Sequence, residues 1–314
     1  MRVHVDAWDP SYGRAYEVEG GPSAASTAPV DTGVERPPGA WTPLNPAPEA
    51  RAPRVVLLVD GVRRVDARVW VEDDHGVARP GVCASYAAGA VRCDLAAGAA
   101  ALGVTRVAHG LFAPGPAVSP LRAHATAEYL PYPVTKDDPA TVDQEVQRRL
   151  TDLEVAVSRA AAGAGEPDLL LVDGPLRGRP GALGYIKTQH AQYLDAELVR
   201  VVAALSPGQR TPLFLLGGQW RRYSWYLRLP GSAGSPWAGI VRLECPAEWP
   251  VDQAIRHADI TAVTLPRFAS TAYKDARAPQ NLVPIAGLER RLRALLGDPR
   301  LLLRGLRTAA RGVA

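Results

Sequence analysis

Two apolar runs of this 314-residue chain end in the same dipeptide: VVLLVDG sets Asp60 before Gly61, and DLLLVDG sets Asp173 before Gly174. An uninterrupted apolar run of this length has the pattern of a strand buried on both faces. If the two strands lie side by side, their aspartates emerge at neighbouring carboxyl ends, where open α/β sheets place their sites. Carboxylates that close repel unless a divalent cation sits between them. Glu154, in the segment LTDLEVAV, is a third candidate ligand, while Asp143, Glu145 and Asp152 share its helical stretch and stay open as alternatives. Hard oxygen donors suit Mg2+ or Mn2+. A pair of such ions can activate an attacking water and stabilise the leaving oxygen of a phosphodiester. On this reading Asp60 is the shared ligand, and Asp173 and Glu154 complete the two metal sites. The opposing reading makes each Asp-Gly an ordinary tight turn. That reading is stronger for either pair alone than for both at matching positions with an acid-bearing helix between them.

Residues 1–53 combine an alternating segment, Val3 to Trp8, with stretches such as GGPSAAS and ERPPGA, and predict a short strand followed by a Pro/Gly-rich arm. From residue 54 the chain reads as a single α/β domain. VVLLVDG, RRVDARVWVED and GVCASYAAGAVRCD predict successive strands joined by short turns, and residues 95–135 predict further strands. A helix is expected from Asp137 or Asp138 onward, with Pro139 in its first turn and Val142, Val146, Leu150, Leu153 and Val157 on one face. DLLLVDG, a helix near Ala191 to Ala204 and the strand TPLFLLGG follow. Three strands, helix, strand, helix, strand is the core order of an RNase H-like mixed sheet flanked by helices. WRRYSWYLRLP and WAGIVRLECP predict a hairpin, VDQAIRHADITAVTL a helix, and Pro284 to Leu296 and Pro299 to Ala310 a C-terminal helical extension carrying Arg300, Arg304, Arg307 and Arg311.

Apolar residues make up 47% of the chain and charged residues 22%, a balance that excludes general disorder. The net charge of +4 permits a polyanionic partner without requiring one. Cys83, Cys93 and Cys245 lack any CxxC spacing, which argues against a disulfide framework or a structural zinc site and for a reducing cytoplasm. No apolar run of membrane-spanning length and no leader-like segment is expected to direct the protein to a membrane or out of the cell. No GxxxxGK[ST] occurs, so any motor acting with this chain is a separate protein.

The segments LLVDG at 57–61, LLLVDGPL at 169–176 and GYIKTQH at 184–190 resemble the motifs of NurA nucleases, and the resemblance extends loosely over about residues 54–300. It implies a dimeric RNase H-like domain that uses manganese or magnesium, degrades DNA from 5′ ends, and works with the hexameric translocase HerA. It also implies metal-binding roles for Asp60, Glu154 and Asp173, and a phosphate-holding or charge-stabilising role for Lys187. The family's histidine at the start of a C-terminal helix has no counterpart in RAPQNLVPIAGLERRL, where Ile285, Ala286 and Gly287 stand near that place. Asp275 is the substitute fourth ligand, with Tyr273 beside it and His257 a more distant alternative. DNA contact is expected from Arg177, Arg179, Arg221, Arg222 and the terminal arginines, with Tyr223, Trp225 and Tyr226 as stacking faces or core. Two rival functions follow: an adaptor that keeps the HerA-binding surface but has lost a metal ligand, and a plain nucleic-acid-binding protein without metal.

Overall fold

The computed structural model describes residues 28–73, 75–115, 119–136, 138–163, 168–177, 179, 181–189, 191–218, 220–231 and 235–312. The strand expected at Val3 to Trp8 lies outside these residues. The chain forms two compact units, one comprising Met1–Leu58, Arg92–Ala100 and Pro167–Ala286, the other Val59–Val91, Ala101–Glu166 and Gly287–Ala314. The architecture is mixed α/β, a large sheet with flanking helices.

The first unit contains β1 (Val30–Asp31), the start of β2 (Val55–Glu72), β7 (Leu169–Asp173), β8 (Leu183–Ile186), α2 (Ala196–Ala203), β9 (Phe214–Leu216), β10 (Arg222–Arg228), β11 (Ile240–Pro246), α3 (Val251–Thr264) and the start of α4 (Val283–Leu295). Its strands run in the order β1-β9-β10-β11-β8-β7-β2. The expected hairpin is β10 and β11, antiparallel with Trp225 opposite Leu243. Alternation along β10 turns Tyr226 towards α2, where Leu198 and Val202, with Phe214 of β9, cover it. Trp225 turns the other way and donates from Nε1 to Thr261 of α3 at 3.2 Å. Both rings are therefore core, not stacking faces for bases. Helix α2 starts five residues later than expected because Asp195 is its N-cap, accepting from the amides of Glu197 and Leu198 at 3.0 and 2.9 Å.

The second unit contains the rest of β2 with β3 (Ala78–Asp94), β4 (Ala99–Pro114), β5 (Leu121–His124), β6 (Ala127–Val134), α1 (Pro139–Gly163), the rest of α4, and α5 (Pro299–Gly312). The order is β2-β3-β4-β6-β5, with β6 parallel to β4. Strand β3 is buried on both faces. Ala84 and Tyr86 meet Val142, Val146 and Leu150 of α1, whereas Cys83 meets Leu302 and Leu306 of α5. Helix α1 starts at Pro139 as expected, and Asp138 accepts from the amide and hydroxyl of Thr141 at 2.8 and 2.6 Å.

One expectation needs correction, and one strand was not foreseen. Asp60-Gly61 is neither a turn nor a strand end: β2 runs through it to Glu72, one strand of 18 residues where two were expected. The segment GYIKTQH begins within a strand, β8, which lies parallel to β7 with Val172 opposite Gly184. That strand occupies the place next to β7, and TPLFLLGG, as β9, lies instead between β1 and β10. The chain reaches β8 through the short loop 174–182, where Gly174 at φ 101° and Gly181 at φ 74° take conformations open to glycine.

Candidate active site

Asp60 is buried in β2, with Oδ1 accepting from the Gly61 amide at 2.7 Å. Asp173 is the last residue of β7, the strand hydrogen-bonded beside β2. One carboxylate oxygen from each of Asp60, Asp173 and Glu289 lies within 4.8 Å of the others. Three buried or half-buried acids at that separation repel, and hard oxygen donors in such a group suit a divalent cation.

Glu289 was not among the residues singled out from the sequence. It is 7% exposed and follows Ile285 by one turn, in phase with the buried Leu292 and Leu296. An acid on the apolar stripe of an amphipathic helix was the available signal. It stands one turn beyond the place where the family's histidine was sought.

Asp173 accepts from Lys187 Nζ, whose side chain is 13% exposed. Lys187 also donates to Asn281 Oδ1 at 3.0 Å, and Asn281 Nδ2 donates to Asp275 Oδ2 at 2.6 Å. Since the carboxylate of Asp275 only accepts and the ammonium only donates, the amide of Asn281 has a single satisfactory orientation. Asp275, expected as a fourth ligand, thus stands behind Asn281 and also accepts from the Arg277 amide at 2.8 Å. It is absent from the group of three acids. Tyr273 is exposed, and His257 bonds the Gln253 carbonyl within α3.

The segment Gly184–Lys187 has a physical reason at each working position. A Cβ on Gly184 would lie 2.7 Å from Cγ of Glu244 and 2.8 Å from the Leu176 amide nitrogen. Glu244 is buried, bonds that amide and pairs with Arg222 and Arg242 at 2.8 and 2.9 Å. This close approach holds the loop after Asp173. Tyr185 is fully buried and donates to the Gln280 carbonyl at 2.6 Å. Burial, and then the charge of Asp173, push its phenol well above the usual range, so it remains a neutral donor.

Glu154 lies against Gly61, where a Cβ would sit 2.6 Å from its Oε1. It therefore reaches the strand position after Asp60, although the group of three acids contains Glu289 and not Glu154. Of the other acids on α1, Asp143 pairs with Arg63, Glu145 with Arg148 and Arg149, and Asp152 with Arg148. The expected nucleic-acid contacts divide. Arg177 and Arg221 are exposed, but Arg222 is engaged with Glu244 and the Trp220 carbonyl. Arg179 is 3% exposed with its guanidinium on the Pro175 carbonyl, so burial removes it from a solvent-facing phosphate site.

Comparison with known proteins gives one family match, a NurA domain over residues 95–285, which includes Glu154, Asp173, Lys187 and Asp275 but stops short of Asp60 and Glu289. No curated protein matches the chain. Among solved structures, the catalytic domain of human Endonuclease V aligns at 18% identity and TM-score 0.35, covering 78% of this chain and 82% of that one. Endonuclease V from Bacillus subtilis aligns at 13% identity and TM-score 0.32, covering 80% and 85%. The NurA match spans more than half of the sequence, and the chain belongs to the NurA family of nucleases.

Proposed function

We propose that the chain is a metal-dependent deoxyribonuclease of RNase H-like type in which Asp60, Asp173 and Glu289 hold Mn2+ or Mg2+. The observation that carries this reading is the approach of three carboxylates within 4.8 Å. The strand order β4-β3-β2-β7, with the two aspartate-bearing strands adjacent, supports the RNase H-like assignment. Bound there, divalent cations would supply a water nucleophile and stabilisation of the leaving oxygen. The chain's own contribution is positional. The carboxylates stand on β2, β7 and α4, and Lys187, oriented by Asn281, offers a positive charge to a phosphate oxygen. Glu154 lies beside Gly61, the residue that follows Asp60.

The family relationship supports a dimer that degrades DNA 5′ to 3′ on ends delivered by a HerA-type hexameric ATPase, with endonuclease activity as a further possibility of the same site. No described helix is long and apolar enough to cross a membrane. The adaptor alternative arose from a missing C-terminal ligand. Glu289 offers a carboxylate on that helix, which favours the nuclease.

Calorimetric titration of Mn2+ into the full-length protein is the direct test, beside Asp60→Asn, Asp173→Asn and Glu289→Gln. The expected result is loss of binding in the aspartate variants and weaker binding in Glu289→Gln, with parallel losses in degradation of linear DNA. Unchanged binding and degradation in all three would sink the assignment.

A further inference from the structure

Helix α5, PRLLLRGLRTAARG, contains no acid and no aromatic residue. Arg300, Arg304, Arg307 and Arg311 are all exposed, and their spacing of four, three and four residues gathers them within an arc of about 60° at 100° per residue. Leu302 and Leu306, on the other side, are buried against Cys83, Leu111 and Tyr129. The helix cannot roll to disperse the arginines. A Cβ on Gly305 would lie 2.0 Å from the Ala123 carbonyl oxygen of β5, a backbone approach that fixes which face is outward.

A row of like charges at this spacing is self-repelling. The helix dipole accounts for Arg311 in the last turn, where a cation is favoured, but Arg300 lies in the first turn, where a cation is disfavoured. Arg304, Arg307 and Arg311 form no ion pair with a described residue. Arg300 has the capping carboxylate of Asp298 beside it, but Arg304, Arg307 and Arg311 have no such partner among the described residues, and a polyanion running along the helix would satisfy the whole row.

We propose that this stripe is a docking rail for the phosphodiester backbone of duplex DNA, independent of base sequence. Eleven residues at 1.5 Å each give the row a length of about 16 Å. A duplex carries one phosphate per about 3.4 Å of axis on each strand, so a row of that length has several phosphates within reach of its arginines. The helix itself carries no aromatic side chain, and the exposed Trp70 in the groove beside Arg307 offers a single stacking face against a row of four charges, which favours the duplex over a single strand. The rail follows α4, the helix that carries Glu289, so it rests on the nuclease reading for its purpose but not for its binding.

The test is binding of a fluorescent 30-base-pair duplex, and of one of its strands alone, to the full-length protein in EDTA over a range of salt. Replacing all four arginines by glutamine should weaken duplex binding at least ten-fold at low salt. The slope of log affinity against log salt should become shallower by about 3 to 4. Arg304→Gln/Arg307→Gln should lower the slope by about 2 if the fourfold variant fails to fold, and the fourfold lysine variant should retain the slope. A slope change no larger than that of Arg256→Gln, an exposed arginine of α3, overturns the rail, as does loss confined to the single strand. Because no metal is present, failure of DNA cleavage alone leaves this outcome untouched.

Discussion

Asp60, Glu154 and Asp173 were sought in the sequence by their chemistry, and Lys187 and Asp275 through the family resemblance; the structure arranges them unequally. Asp60 and Asp173 stood out as a pair, because an aspartate after each of two buried apolar runs is harder to read as two ordinary turns than as one. Glu289 did not, since the search at α4 was for a histidine and not for an acid in phase with Ile285 and Leu292. Asn281 escaped for a different reason: its role lies in a contact between Lys187 and Asp275 that no local pattern encodes. Asn281→Leu keeps the size of the side chain but removes both hydrogen bonds, freeing Lys187 to follow Asp173 alone. The expected outcome is a 10- to 100-fold fall in the rate of linear DNA degradation, the usual effect of losing a partner that orients a site group. The thermal midpoint should move far less than the rate. Equal rates for the variant and wild type would show that Lys187 needs no such support. The three thiols make a second prediction. Burial pushes Cys83 up to about 12 and Cys93 up to about 11, and raises Cys245 further. None should react with a disulfide reagent at pH 8 until denaturant is added, whereas rapid labelling of the native protein would contradict their burial.

At the level of elements, sequence periodicity located α1, α3, α4 and α5 because each exposes one face and buries the other, whereas the β10–β11 hairpin, buried on both faces, was marked by its two runs of strand-forming residues. The sequence pattern divided β2 wrongly, since Asp-Gly is a common turn signal and the structure carries it straight through a strand. It missed β8 because four residues give too short a period to distinguish a strand from a loop. Gly61 is where the long strand accommodates α1: a Cβ would lie 2.6 Å from both Leu150 Cδ1 and Glu154 Oε1. Leu150 is 4% exposed and cannot turn away as a flexible end would. Gly61→Ala is therefore expected to destabilise the protein by about 1 to 3 kcal/mol, the usual range for overpacking. Glu154→Ala in the same chain should recover part of that loss but not all, because the clash with Leu150 remains. Denaturant melts of the two single variants and the double variant measure the coupling, and strict additivity would mean that Glu154 does not bear on Gly61.

For the whole molecule, the order of expected strands and helices gave the mixed α/β class, and the paired aspartates together with the family resemblance gave the expected chemistry. Neither anticipated two units interleaved along the chain, because that depends on which strands continue beyond their neighbours. Each unit has its own buried polar network. In the first, Arg210 joins Glu35 and Asp259 at 2.9 and 2.7 Å. In the second, Asp66 accepts from Arg64 at 2.7 Å, from Tyr129 at 2.8 Å and from Ser85, whose hydroxyl also lies 2.7 Å from Nδ1 of His109. Burial, with a smaller push from Arg64, lowers the His109 imidazole below its ordinary value of 6.5, although the charge of Asp66 opposes the shift. The unfolded chain then binds this proton more readily than the folded one. The resulting stability is complete above 6.5 and is lost as the pH falls through the lower folded value. His109→Gln removes the titration while leaving an amide able to reach Ser85. Between pH 7.5 and 5.5 the melting temperature of the wild type should fall faster than that of the variant, with carboxylate contributions common to both curves. Parallel curves would mean that His109 carries no differential proton affinity and that the network of the second unit does not sense pH in this range.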